Sequence, residues 1–381
     1  VNKQWAAARR ILIARLDNLG DVLLATPAVR ALRHALPAAR ITLWASPVGA
    51  QVADLDPDFD DAIVYRAPWM DPDRQLPQDP AREAAMVAEI RRRGFDGVVI
   101  FTSYHESALP AAYLCYQAGV SLRHAASVDG PGSLLTSRHR HPDRSLHEVE
   151  RGLDLVAGLG VPPVEDRLVL VPGEADRRRA AELVANLRSG GRPVIVIHPG
   201  CSCPARTYPP DLFAAAARAL QRALGARIVW TGDRSERHLI GRIQAGLEEP
   251  GLCLAGETNL SQLAAVIEAC DIAITNNTGP MHVAAAVQTP VVALFALTNP
   301  PEQWRPWRVP HRVLNHAVAC AVCYQRECPY GHECLRLVTA DEVVNAARDL
   351  LRETDRAASP MVSPASVEVE GRSESSFGAH R

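Results

Sequence analysis

Thr275-Asn276-Asn277-Thr278-Gly279-Pro280-Met281-His282 decides how this chain reads, because three signals coincide in it. Ile272 to Thr275 is a mostly apolar run of strand length. Asn-Asn-Thr-Gly then suits a tight turn and a helix N-cap, and Pro280 falls where a first helical turn tolerates a missing N–H. His282 to Val287 is a helix of small residues. A strand running through such a turn into a helix leaves free backbone N–H groups and the positive end of the helix dipole pointing one way, which suits an anion. His282 in the first turn adds a donor. A single turn of this kind is also what any α/β sheet contains, so its weight depends on recurrence.

It recurs. Strand-like runs at Ile11–Leu16, Ile41–Ala45, Ala62–Tyr65, Gly97–Phe101, Arg167–Val171, Val194–His198, Arg227–Thr231, Ile272–Thr275 and Val291–Phe295 alternate with amphipathic stretches. Among the latter are Val22–Leu36, Ala81–Arg93, Leu146–Leu159, Ala175–Leu187, Asp211–Leu224, Ser235–Leu247 and Leu260–Ala269. Alternation of strands with helices predicts parallel sheets covered on both faces, and continuous apolar strands agree with burial on both sides. Polar clusters follow the strands repeatedly: Asp17–Asp21, Pro199–Arg206, Gly232–Glu236 and Asn276–His282. Ligands of open parallel sheets bind at strand carboxyl ends. The first cluster lies in the N-terminal half and the others in the C-terminal half, so two domains with facing edges would form a cleft.

A chain of 381 residues fits two domains and a tail. The chain leaves one α/β unit and enters the next around Val171-Pro172-Gly173, giving domains at 1–172 and 173–354. Residues 355–381 are rich in Ser, Glu, Ala and Pro without periodicity and read as a disordered tail. Pro68–Pro80, with its prolines and aspartates, reads as a surface loop. A net charge of −2 excludes a globally basic nucleic-acid binder. Lys3 is the sole lysine among 41 basic residues, a bias that fits base composition better than phosphate binding. No apolar run approaches the ~18 residues of a membrane span. Val1 to Arg10 carries no signal-peptide core, which sets the expectation of a cytoplasmic protein.

Arg15-Leu16-Asp17-Asn18-Leu19-Gly20-Asp21 with Thr26–Arg33, His198-Pro199-Gly200, Arg206-Thr207-Tyr208-Pro209, Gly232 with Glu236, Asn277–His282, and Pro290–Pro300 with Trp304 together resemble glycosyltransferase family 9, the bacterial heptosyltransferases. The matching segments run from about Arg10 to Leu351. The resemblance implies a GT-B fold, two Rossmann-like domains around a cleft, with the acceptor on the N-terminal domain and the nucleotide sugar on the C-terminal one. It implies inverting transfer of a heptose from ADP-heptose to a lipopolysaccharide-core saccharide or related glycan. Rival readings are a UDP- or GDP-hexose donor, or a non-catalytic nucleotide-binding protein on the same fold. An NAD-dependent oxidoreductase ranks last, since no Gly-x-Gly-x-x-Gly follows the first strand.

Carried onto this sequence, the resemblance makes Asp21 the general base, since one carboxylate suffices for inversion. Asp17 is the weaker candidate, and a helix cap near Val22 is the plain alternative for Asp21. On the donor side it points to Gly200 and Ser202 near phosphate, Arg206 on the diphosphate, Glu236 on the ribose hydroxyls and Thr258 at the base. Asn277, Thr278, Gly279 and His282 complete the set. A solvated surface arginine is the plain reading of Arg206, and a helix N-terminal charge that of Glu236. Asn277 departs from the Asp of many family members, which leaves the preferred nucleotide sugar open. Catalysis needs no cofactor. Peripheral contact with the inner membrane would bring a glycolipid acceptor within reach.

Cys320, Cys323, Cys328 and Cys334 fall within fifteen residues, with His332 among them. In a cytosolic protein such spacing reads as a zinc or iron site, structural rather than catalytic, or as reduced free thiols. The remaining histidines, such as His105, His139, His141 and His147, show no ligand-like spacing.

Overall fold

The computed structural model describes residues 1–70, 75–188 and 190–358, with the side chains of 355–358 left aside. Two six-stranded sheets, parallel throughout, organise it. The first comprises β1 (Arg10–Arg15), β2 (Arg40–Ala45), β3 (Asp61–Val64), β4 (Gly97–Ile100), β5 (Leu122–Ala126) and β6 (Ser137–His139), in the order β3-β2-β1-β4-β5-β6. The second comprises β7 (Val194–His198), β8 (Arg227–Trp230), β9 (Leu252–Cys253), β10 (Ile272–Asn276), β11 (Val291–Leu294) and β12 (His311–Leu314). Its order, β12-β11-β10-β7-β8-β9, is the same winding read from the other edge. Both are therefore doubly wound Rossmann sheets, each reversing strand order at one point: between β1 and β4, and between β7 and β10.

Central strands β1, β4, β7, β10 and β11 are apolar on both faces because helices cover both. The helix Leu19–Ala35 packs on Glu148–Ala157, Glu174–Leu187 on Leu260–Ala269, and Ala340–Ala358 on Pro210–Leu224. The halves also pack on one another. The N-terminal turn of Leu19–Ala35 meets that of Gly279–Ala286, and one apolar cluster runs from Leu23 and Ala28 through to Met281 and Phe295.

Several boundaries move. The helix expected from Val22 starts at Leu19, with Asn18 as N-cap and Asp21 at its third position. Arg167–Val171 is not a strand. Leu168 and Leu170 are buried in alternation, but the segment runs extended outside both sheets, with the Val171 N–H donating to Leu55 O at 2.8 Å. The stretch expected to be a tail continues the last helix through Ala358, and its remainder lies outside the described residues, as do residues 71–74 of the proline-rich loop. Among the described residues no helix is long and apolar enough to cross a membrane.

Candidate active site

β1 ends in a charged knot. Arg15 is buried, with Nε 2.9 Å from Asp17 Oδ1 and Nη2 3.4 Å from both Asp21 Oδ1 and Glu148 Oε2. Nη2 also donates to Ser103 Oγ at 2.8 Å. Burial opposes the Arg15 charge, but Asp17, Asp21, Glu148 and Glu106 outweigh it and raise its pKa. Burial pushes Asp17 well above the usual carboxylate range, Arg15 opposing and Asp21 adding to the rise. Glu148 is pushed up to about 7 by burial, against the pull of Arg15 and Arg151. One cation holding three carboxylates, two of them buried, is a specific arrangement, since removing it would leave them uncompensated.

Asp21 is fixed twice. Its Oδ2 accepts the Asn18 N–H at 3.1 Å, the return bond of a capping box, and its Oδ1 faces Arg15. The helix-cap reading thus holds in part: Asp21 caps from the third position rather than preceding the helix. With Arg15, Glu148, Arg151 and His141 it lines a cavity of about 10 Å³, roughly one water. Asp17 and Asn18 instead border the larger space between the halves, about 560 Å³, with Arg66 on the same side. Ser202, Arg206, Thr298, Tyr324 and Arg326 face them from the second half. That volume suits a drug-sized ligand.

On the second half, Arg206 Nε donates to Thr298 Oγ1 at 3.0 Å, whose hydroxyl donates to Asn299 Oδ1 at 3.1 Å. Asn277 Nδ2 donates to that same oxygen at 3.1 Å, while Asn277 Oδ1 accepts the Ala296 N–H. A chain of side chains thus steers the guanidinium. Asn277 joins this chain through both ends of its amide, where an Asp could only accept. Asn276 ties the neighbouring loops, donating to Pro199 O and accepting from the Tyr208 N–H.

Gly200 serves a different neighbour from the one expected. A Cβ there would lie 1.7 Å from Glu236 Oε1, and one at Gly232 would lie 2.8 Å from Oε2. The two glycines cradle the Glu236 carboxylate against the backbone, where it accepts the Asp233 N–H at 2.8 Å and stands 3.7 Å from His198 Nε2. Burial, with Asp233 adding and the Asp233 N–H opposing, raises its pKa.

The helix Gly279–Ala286 begins at Thr278, with Gly279 against Leu19 and the His282 ring against Gly20. His282 is buried, its Nδ1 has no hydrogen-bond partner, and burial followed by the Arg206 charge pushes it down to about 4. It stands at the junction as a neutral imidazole rather than a cation. Thr258 does not join this group. It lines a separate cavity of about 80 Å³ with Asp176, Arg179 and Gln262.

The four clustered cysteines sit on the loop that supplies Tyr324 and Arg326 to the cleft. The loop is stitched to the wall: the Tyr324 N–H donates to Thr298 O, the Ala205 N–H to Arg326 O and the Cys323 N–H to Leu297 O. Cys334 feels the other three thiols, its pKa raised by burial and then by Cys328, Cys320 and Cys323. Their sulfurs do not all converge within 4.8 Å. Sequence reading gave no role to Arg15, Glu148, Thr298 or Asn299, although Arg15, Thr298 and Asn299 lie inside segments that carry the family resemblance and Arg15 is a lone charge in an apolar run.

The profile of glycosyltransferase family 9 (heptosyltransferase) matches residues 84–333. Lipooligosaccharide heptosyltransferase 2 of Campylobacter jejuni is 29% identical over 170 residues, covering 43% of this chain and 53% of that protein, so the chain matches about half of its length. Lipopolysaccharide heptosyltransferase 3 of Escherichia coli K12 is 26% identical over 348 residues, 88% of this chain and 96% of that one. Among solved structures, E. coli ADP-heptose lps heptosyltransferase II superposes with a TM-score of 0.72 at 22% identity, over 91% of this chain and 99% of the other, so the two share the GT-B fold. With the profile spanning more than half of its residues, from the first sheet to the cysteine loop, the chain belongs to glycosyltransferase family 9.

Proposed function

We propose that this chain transfers a heptose from ADP-heptose to a saccharide hydroxyl, inverting the anomeric centre. The observation that carries the reading is the meeting of two strand-carboxyl edges across one cavity, acidic from the first half at Asp17 and basic from the second at Arg206. The names of the relatives, heptosyltransferases that include an ADP-heptose enzyme, support the donor.

In this reading the acceptor hydroxyl attacks the anomeric carbon while its proton passes to the Asp21 carboxylate. The bond from that carbon to the diphosphate oxygen breaks, and the electron pair leaves with ADP. Arg206, steered by Thr298, and the free N–H groups of Gly279–Ala286 meet the charge developing on the diphosphate. His282 is neutral and can offer a hydrogen bond only. Glu236 accepts the ribose hydroxyls, while Thr258, set in its own separate cavity, is left out of the base pocket. The acceptor is a lipopolysaccharide-core saccharide or related glycan, and a lipid-borne acceptor would draw the chain to the inner membrane face. The resemblance also implies a structural zinc or iron on Cys320, Cys323, Cys328 and Cys334. Four soft donors around Cys334 fit such an ion, and the sulfurs would close on it with the loop.

Asp21→Asn tests the base. Turnover should fall on the order of 10²–10⁴ while ADP affinity stays within a few-fold. Turnover near wild type removes Asp21 from the chemistry. Thermal shifts tie the donor to the nucleotide, since ADP should raise the melting temperature more than UDP or GDP. The reverse ranking would replace ADP-heptose by a UDP- or GDP-hexose.

A further inference from the structure

Three side chains outside the transfer chemistry converge where β6 ends beside the helix Glu148–Ala157. His139 Nε2 and His141 Nδ1 each lie 2.7 Å from one oxygen, Asp154 Oδ2. The imidazoles meet edge to face, with centroids 4.9 Å apart. The three potential ligand atoms lie within 4.8 Å of one another, and no other group of His, Cys, Asp or Glu among the described residues gathers three so closely. The histidine side chains are 15% exposed and Asp154 33%, so the cluster has a protein wall and a solvent-facing side.

Local structure builds this. β6 ends at His139, and His141, two residues on, turns its ring to the same carboxylate. Asp154 reaches them from the covering helix. Gly158, just past that helix, makes room, since a Cβ there would lie 2.7 Å from His139 Nδ1. Arg151, the nearest cation on the helix, is occupied elsewhere, 3.4 Å from Glu148 Oε1 and stacked over Tyr104.

We propose that His139, His141 and Asp154 form a binding site for a divalent transition cation of the zinc class, with a fourth position left to water. Two imidazoles and a carboxylate are the donor set that zinc and cobalt take in three-ligand sites. Each neutral ring offers its lone pair by carrying its proton on the other nitrogen, Nδ1 of His139 and Nε2 of His141, so binding to neutral rings releases no proton. The ion would fasten the three-residue edge strand β6 to the helix that carries Glu148 and Arg151. It would thereby brace the wall of the cavity that Asp21 and His141 share.

Cobalt(II) added to the chelator-stripped full chain tests this, because the clustered cysteines are a second site of different colour. Thiolates give intense near-ultraviolet charge-transfer bands; an imidazole–carboxylate set gives only weaker visible d–d bands. A saturable visible component is expected that Asp154→Asn and His141→Ala each weaken by at least ~10–100-fold in affinity, the range that losing a mere supporting contact produces. Any thiolate bands should stay unchanged. Equal visible binding by wild type and both variants would overturn the proposal. Should a variant fail to fold, imidazole ¹⁵N spectra of the wild-type chain decide. One equivalent of zinc beyond any held by thiolates should shift His139 Nε2 and His141 Nδ1, and unmoved resonances would overturn the site.

Discussion

Gly20→Ala probes the junction on which the site depends. A Cβ at residue 20 would stand 2.7 Å from His282 Cδ2, 3.5 Å from its Nε2 and 3.6 Å from Gly279 Cα. Ordinary carbon contacts are ~3.5–4.0 Å, so the first is short by roughly 1 Å. The imidazole cannot swing into solvent, being 5% exposed. Relief must come from parting the N-terminal turns of Leu19–Ala35 and Gly279–Ala286. Overpacking of this kind costs about 1–3 kcal/mol, and the better helix propensity of alanine returns at most about 1 kcal/mol of it. Urea unfolding should therefore show Gly20→Ala destabilised by about 1–2 kcal/mol with an unchanged m-value. The decisive comparison is a double-mutant cycle with His282→Ala, where the added methyl would enter the space the ring left. In that background Gly20→Ala should be neutral or stabilising, giving a coupling of about 1–3 kcal/mol. The same destabilisation in both backgrounds would refute the clash and place the cost in the helix itself.

Arg206→Ala should weaken ADP far more than adenosine, and Thr298→Val should do so mildly, by about 1 kcal/mol, through loss of the bond that aims the guanidinium. Equal losses for both ligands in calorimetry would place Arg206 away from the diphosphate. His147, stacked on Trp307 with Nε2 2.9 Å from Arg305 O, joins the two halves, and burial pushes its pKa down to about 3. Unfolded, it takes a proton near pH 6.5; folded, it resists until about pH 3, so its stabilisation is complete above 6.5 and lost as the pH falls through that window. The cost of His147→Gln, read from urea midpoints, should accordingly shrink by up to about 1.4 kcal/mol per unit between pH 6 and 4, and a pH-independent cost would contradict it. Elemental analysis of protein prepared without chelator should find, apart from any ion on His139, His141 and Asp154, one equivalent of zinc or iron that is lost with Cys320→Ser and Cys334→Ser together; four freely titrating thiols and no ion lost with these substitutions would leave the loop held by its hydrogen bonds alone.

How far the sequence could be read follows from which forces are local. Central strands were legible because burial on both faces demands unbroken apolar runs, and Val194–His198 and Leu260–Ala269 agree with the structure residue for residue. Strands toward a sheet edge were harder: Ser137–His139 and His311–Leu314 carry Arg and His because a sheet edge is only half covered, and Leu122–Ala126, one strand in, interrupts its apolar run with a buried Arg123 and His124. Arg167–Val171 shows the converse. Its alternation of buried leucines is real, yet alternation reports one covered face, not a partner strand, and here the cover is the core beneath a connecting segment. The site divides along the same line. Loops following strands could be found from sequence, because the turn chemistry lies within a few residues of the strand end. Their partners could not, since Arg15 meets Glu148 across 133 positions and Arg206 meets Thr298 across 92. Asn277 makes the point most sharply. As a sequence feature it is a missing negative charge, which reads as doubt about the donor. In three dimensions its amide is the donor that holds Asn299, which anchors Thr298, which aims Arg206. A residue type that looks like a loss at one position thus takes its meaning from a neighbour that the fold supplies from the loop after another strand.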